Sequence, residues 1–265
     1  KPPGSKNILL CCAIDNITGR KTETTPAPEV PGSDQCEFKS QGNFLSYDVR
    51  IVGGRPAEKP WPWVALLIFD ENLDVRCGGT LIADGWILTA GHCVAGPGTP
   101  TLLRIRLGDR VLKNDTEIEH RDYPIIKTIK HENYTKPFQN DNDIALIKFN
   151  NSECYPEGPQ SDILLQTQLT VEDTQDCIDS FGAFRGVNIS SSKLCAYEDG
   201  RDTCQGDSGG GLFLPNPNTS AKEGVNYEII GVVSFGYKCA EKDKPGIYTR
   251  VTEYLNWIEE TIKNN

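Results

Sequence analysis

From Ile51 onward, short runs of β-branched and aromatic residues alternate with Gly, Pro, Asn and Asp clusters. The runs are Trp63–Phe69, Gly79–Ile82, Trp86–Ala90, Leu103–Leu107, Ile125–Lys130, Ile144–Phe149 and Ile163–Val171, then Gly211–Leu214, Tyr227–Phe235 and Gly246–Val251. Branched side chains suit a pleated surface and the intervening residues suit turns, so each run predicts a strand. Such spacing suggests antiparallel barrels or sandwiches, an all-β chain. The tail differs. Val251, Tyr254, Leu255, Ile258 and Ile262 recur at helical spacing, so Thr252–Lys263 predicts an amphipathic helix packed on the domain. No solenoid-type repeat is visible.

Before Ile51 the pattern fails. Residues 1–35 hold few apolar positions after Leu10, and Thr22–Gly32 is a Pro/Thr-rich linker. Cys11 and Cys12 are adjacent, and a bond between neighbours is strained, so each is expected to pair elsewhere. This part reads as the remnant of a small disulfide module. Residues 36–50 form a second connector, and 51–265 the main domain.

Composition narrows the setting. The chain has 265 residues, enough for one large β-barrel domain with an appendage. Ten cysteines and no long apolar run predict a secreted, extracellular protein with disulfides and no membrane span. Asn16, Asn114, Asn133, Asn150, Asn188 and Asn218 each begin an N-x-S/T triplet, which fits the same compartment. A formal charge of −10 argues against nucleic acid or an anionic membrane as partner.

Candidate chemistry is concentrated in Asp202–Gly211, D-T-C-Q-G-D-S-G-G-G. Ser208 sits among glycines that let the backbone turn sharply and aim N–H groups at a developing oxyanion. A serine hydroxyl attacks only when a base removes its proton. There are three histidines. His92 lies in L-T-A-G-H-C, where a strand ends in a cysteine-anchored turn; His120 and His131 lie in polar text. Asp143 opens the apolar strand of N-D-I-A-L-I-K and is the best-placed acid to orient a histidine, although an Asp there also serves as a plain turn residue. Arg50-Ile51-Val52-Gly53-Gly54 reads either as a loop entering a first strand or as a processing site. Cutting after Arg50 would free the Ile51 amine, a buried cation needing a counter-ion such as Asp207.

In order, I-V-G-G, T-A-G-H-C, D-I-A-L, G-D-S-G-G and the carboxy-terminal helix resemble the trypsin/chymotrypsin-type serine proteases from about Ile51 to the end. The resemblance implies two six-stranded antiparallel β-barrels with the active site between them and a C-terminal helix. It implies Ser208 as nucleophile, His92 as general base and acid, and Asp143 as the group orienting His92. The N–H groups of Gly206 and Ser208 would form the oxyanion hole. Ile51 and Asp207 would pair after cleavage at Arg50. Asp202 matches the acid on the floor of a pocket for Arg or Lys. Ser234, Gly236 and Gly246 match its walls, and Phe235 stands where tryptophan is usual.

The same resemblance implies disulfides Cys77–Cys93, Cys177–Cys195, Cys204–Cys239 and Cys36–Cys154, the last tethering the connector. It implies no cofactor for catalysis. Asp109, Glu117 and Glu119 lie where some relatives hold structural Ca²⁺. The expected partners are a protein substrate such as a downstream zymogen, an upstream trypsin-like activator and serpin-type inhibitors.

The sequence departs from the family in three places. Gly91 stands where Ala is usual, a small-for-small change expected to matter little. Leu214 replaces a common bridging cysteine. Between Phe149 and Ser161 the text is too short for the strand that opens the second barrel, so it is expected to join segments not contiguous in the full protein, or to mark a deletion. The Cys-Cys, linker and tethering cysteine resemble the end of a clip domain. Clip-domain serine proteases act in arthropod haemolymph cascades for clotting, Toll signalling and prophenoloxidase activation. The alternative function is that of an inactive homologue acting as a binding cofactor, from which retention of Ser208, His92 and Asp143 points away.

Overall fold

Leu67, Ile87, Leu88, Ile105, Leu146 and Ile147 have no exposed surface, and the strands that carry them close into a barrel. The computed structural model describes residues 53–57, 61–70, 75–95, 99–109, 120–134, 141–151, 164–181, 189–203, 207–215, 227–236, 242 and 244–265. The two N-terminal segments expected at 1–35 and 36–50, with the Arg50–Ile51 bond, lie outside these residues.

The barrel strands are β2 (Val64–Ile68), β3 (Val75–Ala83), β4 (Trp86–Thr89), β5 (Arg104–Leu107), β6 (Arg121–Lys130) and β7 (Ala145–Phe149), in the order β2-β3-β4-β7-β6-β5. Each branched side chain buried here stabilises the fold by about 1.5–3 kcal/mol relative to exposure, so the apolar pattern determines which face turns inward. Asp84 and Gly85 link β3 to β4, and Gly85 takes a φ of 72°, which a residue without Cβ adopts freely.

The register of β4 against β7 positions the site. It pairs Trp86 with Lys148 and Thr89 with Ala145. Because the strands are antiparallel, the chain leaving β4 at Ala90–His92 runs beside the chain entering β7 at Asn142–Ile144. A short helix, α1 (Gly91–Val94), follows β4 at once.

The second half forms an antiparallel sheet ordered β11-β12-β13-β10-β9. Its strands are β9 (Thr170–Val171), β10 (Lys193–Tyr197), β11 (Gly211–Pro215), β12 (Tyr227–Phe235) and β13 (Gly246–Arg250). A two-stranded pairing joins β1 (Arg55–Pro56) to β8 (Leu165–Gln166), and α2 (Thr174–Phe181) precedes β10. The second unit therefore has five strands among the described residues where the resemblance implied six, with β11 and β9 at its edges. Residues 152–163, between β7 and β8, are outside those described.

The tail begins as a 3₁₀ turn, Val251–Tyr254, and continues as α3, Leu255–Asn264. Its apolar stripe packs on the core of the first barrel through Val251, Tyr254, Leu255, Trp257, Ile258 and Ile262. The helix expected at Thr252–Lys263 is present, with its first turn tightened. No helix among the described residues is long and apolar enough to cross a membrane.

Candidate active site

Asp143 has no exposed surface, and both its oxygens are spent on His92. The His92 backbone N–H donates to Oδ1 at 2.9 Å and the ring Nδ1 lies 2.9 Å from Oδ2. A carboxylate that accepts at Nδ1 places the ring proton there and leaves Nε2 free to act as a base. The imidazole is 28% exposed, so it is open to a substrate while its partner is sealed. Ser234 Oγ donates a further short hydrogen bond to Oδ2, and Thr249 Oγ1 donates to the Asp143 carbonyl at 2.8 Å. Burial pushes the Asp143 carboxyl up, but the bonds and charge of His92 and the bond from Ser234 outweigh it and hold Asp143 below the usual range.

The Ser208 loop is docked against this pair by backbone contacts. Gly78 N–H donates to the Ser208 carbonyl at 2.7 Å, and Gly209 N–H donates to the Val233 carbonyl at 2.9 Å. The Ser208 carbonyl also lies 3.6 Å from the sulfur of Cys93, the residue after His92. Gly209 has a φ of 79°, and a Cβ there would lie 2.2 Å from Thr89 Oγ1 and 2.5 Å from the Gly78 carbonyl. Only glycine lets the loop approach the first barrel this closely.

Asp202 is 4% exposed and accepts the Thr203 N–H at 2.8 Å. Across from it a Cβ on Gly246 would meet Asp202 Oδ1 at 3.0 Å, so the missing side chain leaves room beside the buried carboxylate. The Tyr248 ring closes the same space, its hydroxyl 3.3 Å from Thr203 Oγ1. Burial pushes the Tyr248 phenol up; the Thr203 bond opposes this and the charges of Asp202 and Asp207 reinforce it. A buried carboxylate beside a neutral phenol and a bare glycine is suited to receive a cation.

Comparison with known proteins then supplies the frame for this geometry. A model of the Trypsin family matches residues 51–157 and 153–258. The chain belongs to the trypsin family of serine proteases. It is 33% identical to Venom serine protease Bi-VSP of Bombus ignitus, over 95% of this chain and 78% of the relative. It is 32% identical to Proclotting enzyme of Tachypleus tridentatus over 95% and 78%, and 31% identical to CLIP domain-containing serine protease B4 of Anopheles gambiae over 97% and 79%. These alignments run to 303 and 305 positions, more than the 265 residues present, so the relatives carry residues with no counterpart here. The family match divides at 153–157, within the stretch whose sequence was expected to join non-contiguous segments.

Within the trypsin frame, the structure brings His92, Asp143, Ser234 and the Ser208 loop together, with Asp202 and Gly246 facing each other on the second sheet. Ser234, expected as a pocket wall, also has its hydroxyl committed to Asp143. Gly236 is exposed at the end of β12. Gly206, Ile51, Arg50, Cys204, Cys239, Cys36 and Cys154 lie outside the described residues, as do Asn16, Asn114, Asn188 and Asn218. Asn133 is exposed and Asn150 partly buried.

Two disulfides are formed, Cys77–Cys93 beneath His92 and Cys177–Cys195 between α2 and β10. Cys77, His92 and Cys93 have ligand atoms within 4.8 Å of one another, but the two sulfurs are bonded together and cannot hold a metal.

Of the expected calcium ligands, only Asp109 is described, and it does not fit the role. Its Oδ2 accepts from Arg106 Nη1 at 3.1 Å, and His120 Nδ1 lies 4.0 Å away. Arg106 is fully buried and also grips Asp122 through Nε and Nη2 at 2.6 and 3.0 Å. A guanidinium fixed at Asp109 already places a positive charge there and repels a dication. Glu117 and Glu119 lie outside the described residues.

Sequence reading missed the bonds from Ser234 and Thr249 to Asp143. Both residues sit within apolar strand runs and carried no separate signal; a buried hydroxyl beside an acid is visible only after folding.

Proposed function

We propose that this chain is a secreted serine endopeptidase, made as a zymogen, that cuts after Arg or Lys in a protein of an extracellular cascade. Ser208 Oγ attacks the scissile carbonyl while His92 takes its proton. The N–H groups of Gly206 and Ser208 receive the oxyanion. His92 then gives the proton to the leaving amine, breaking the C–N bond and leaving an acyl-enzyme. Water, deprotonated by His92, attacks that ester; its collapse frees the product acid and returns the proton to Ser208. Asp143 stabilises the imidazolium throughout. Cleavage after Arg50 frees the Ile51 amine to pair with Asp207 and order the oxyanion hole and pocket.

The observation that carries this reading is the grip of both Asp143 oxygens on His92 beside the docked Ser208 loop. Preference for Arg or Lys rests on buried Asp202 facing Gly246. Secretion is supported by disulfides that form in oxidising compartments. Two relatives bear the names Proclotting enzyme and Phenoloxidase-activating enzyme 1, and similarity to them supports a cascade role with a downstream zymogen as substrate. An upstream trypsin-like protease as activator and serpin-type inhibitors complete the partners.

The test is hydrolysis of an arginyl chromogenic substrate after cleavage at Arg50. Turnover should appear only after cleavage and vanish in Ser208→Ala. Cleaved protein that binds a cascade component but turns over no substrate would be a cofactor instead.

A further inference from the structure

Asn142, the residue before Asp143, is the one non-glycine position among the described residues with positive φ, at 54°. Asparagine tolerates this region better than most residues, yet something must still hold it there. Its side chain is held at both ends. Nδ2 donates to the Asn133 carbonyl at 2.9 Å, and Oδ1 accepts the Tyr254 hydroxyl at 3.1 Å. The Asn142 carbonyl accepts the Ile144 N–H at 2.7 Å, so Asp143 occupies the centre of a tight turn.

That turn is gripped from three directions. At the end of β6, His131 N–H donates to the Ile144 carbonyl at 3.0 Å. From β13, Thr249 Oγ1 holds the Asp143 carbonyl. From the C-terminal tail comes Tyr254, whose ring is 95% buried and stands edge-on to His131 at 5.4 Å. Trp257, one helical turn on, also packs on His131, at 5.0 Å, and its Nε1–H donates to Glu132. The tail is therefore joined to the turn that aims Asp143 at both His92 nitrogens.

We propose that Tyr254 is a positioning residue: acting through Asn142, its hydroxyl holds the Asp143 turn in the orientation that grips His92. The catalytic consequence rests on the reading of His92 and Asp143 as a reacting pair, but the geometric one does not. The C-terminal helix thus does more than cover the barrel core, because its first turn helps set the histidine.

The test compares the full chain, cleaved at Arg50, with Tyr254→Phe, which removes one oxygen and keeps the ring. In Tyr254→Phe kcat should fall about tenfold at unchanged KM, the size of one neutral hydrogen bond felt in the transition state. Asn142→Gly, which accepts the positive φ without strain but lacks both side-chain bonds, should lose at least as much. In kcat the double variant should be no worse than Asn142→Gly alone, since the hydroxyl's link to the turn is already gone and its bond to Ser192 does not run through Asn142. An NMR reading independent of turnover decides the geometry: the His92 Nδ1 proton, shifted downfield by Asp143, should move upfield in Tyr254→Phe. A resonance that stays in place while Tm alone falls overturns the proposal. Absence of turnover in the parent chain would instead refute the catalytic reading, and the NMR comparison would still decide the role of Tyr254.

Discussion

Replacing Gly209 by alanine tests whether the nucleophile loop owes its position to close backbone approach. The added Cβ would fall 2.2 Å from Thr89 Oγ1, 2.5 Å from the Gly78 carbonyl and 3.1 Å from the Ala90 nitrogen. The last two are backbone atoms of the first barrel and cannot rotate away. Residue 209 also has a φ of 79°, where an L side chain costs about 1–2 kcal/mol. Overpacking adds about 1–3 kcal/mol if the loop stays in place. The loop relieves the clash by retreating from β3 and β4, breaking the bonds of Gly78 to Ser208 and Gly209 to Val233. A retreat near 1 Å at a reacting group is worth about 10²-fold in rate. The expected result in the activated enzyme is a kcat loss of about 10²-fold on an arginyl chromogenic substrate, with KM changed little. Gly200→Ala separates strain from clash: its φ is 70°, but an added Cβ would meet nothing within 4 Å. It should lower stability by about 1 kcal/mol and keep kcat. Near-parental kcat in Gly209→Ala, or an equal kcat loss in Gly200→Ala, would refute the close-approach argument.

Asp202→Ser should reduce kcat/KM on arginyl substrates by about 10²–10³-fold through loss of the charge pair, while a small neutral P1 residue is affected less; equal losses on both would disprove the pocket assignment. Chelation with EDTA should leave Tm unchanged, because Arg106 is already paired with Asp109, whereas Arg106→Met should cost about 3–5 kcal/mol in denaturant titration by removing the buried guanidinium that bridges Asp109 and Asp122 and leaving Asp122 with Arg104 alone. A Tm that drops on chelation would place calcium back in the loop. Burial holds the His131 imidazole below its ordinary value of 6.5, with Glu132 opposing and Lys130 adding. The unfolded chain takes up that proton first, so this contribution is fully present above 6.5 and is lost as pH falls toward the folded value. In His131→Phe, unfolding free energy measured from about pH 7 to about pH 5 should therefore slope less steeply than in the parent.

Much of the architecture was legible in the strand runs because their burial is local information. A run such as Ile144–Phe149 must hide its branched side chains wherever it ends up, and β7 does. β10, Lys193–Tyr197, was missed because K-L-C-A-Y lacks the branched run that marks a strand, and its burial comes from neighbours far along the chain. α2, Thr174–Phe181, is short and largely polar, and its cysteine bond to β10 anchors it more than its periodicity does. Tyr254 was read as part of an apolar helical stripe, which was correct for its ring and silent about its hydroxyl.

The sequence by itself determined which residues could carry the chemistry, because a nucleophile, a base and an acid each need a particular side chain. Ser208, His92 and Asp143 were candidates on that ground, and Asp202 entered through the family resemblance. Tertiary structure decided what those groups touch. The register of β4 on β7 sets His92 against Asp143, residues separated by 51 positions. Folding set the Ser234 hydroxyl against Asp143 and the Arg106 guanidinium against Asp109. Hydrogen bonds and ion pairs depend on direction and distance in space, and no spacing along a chain records either.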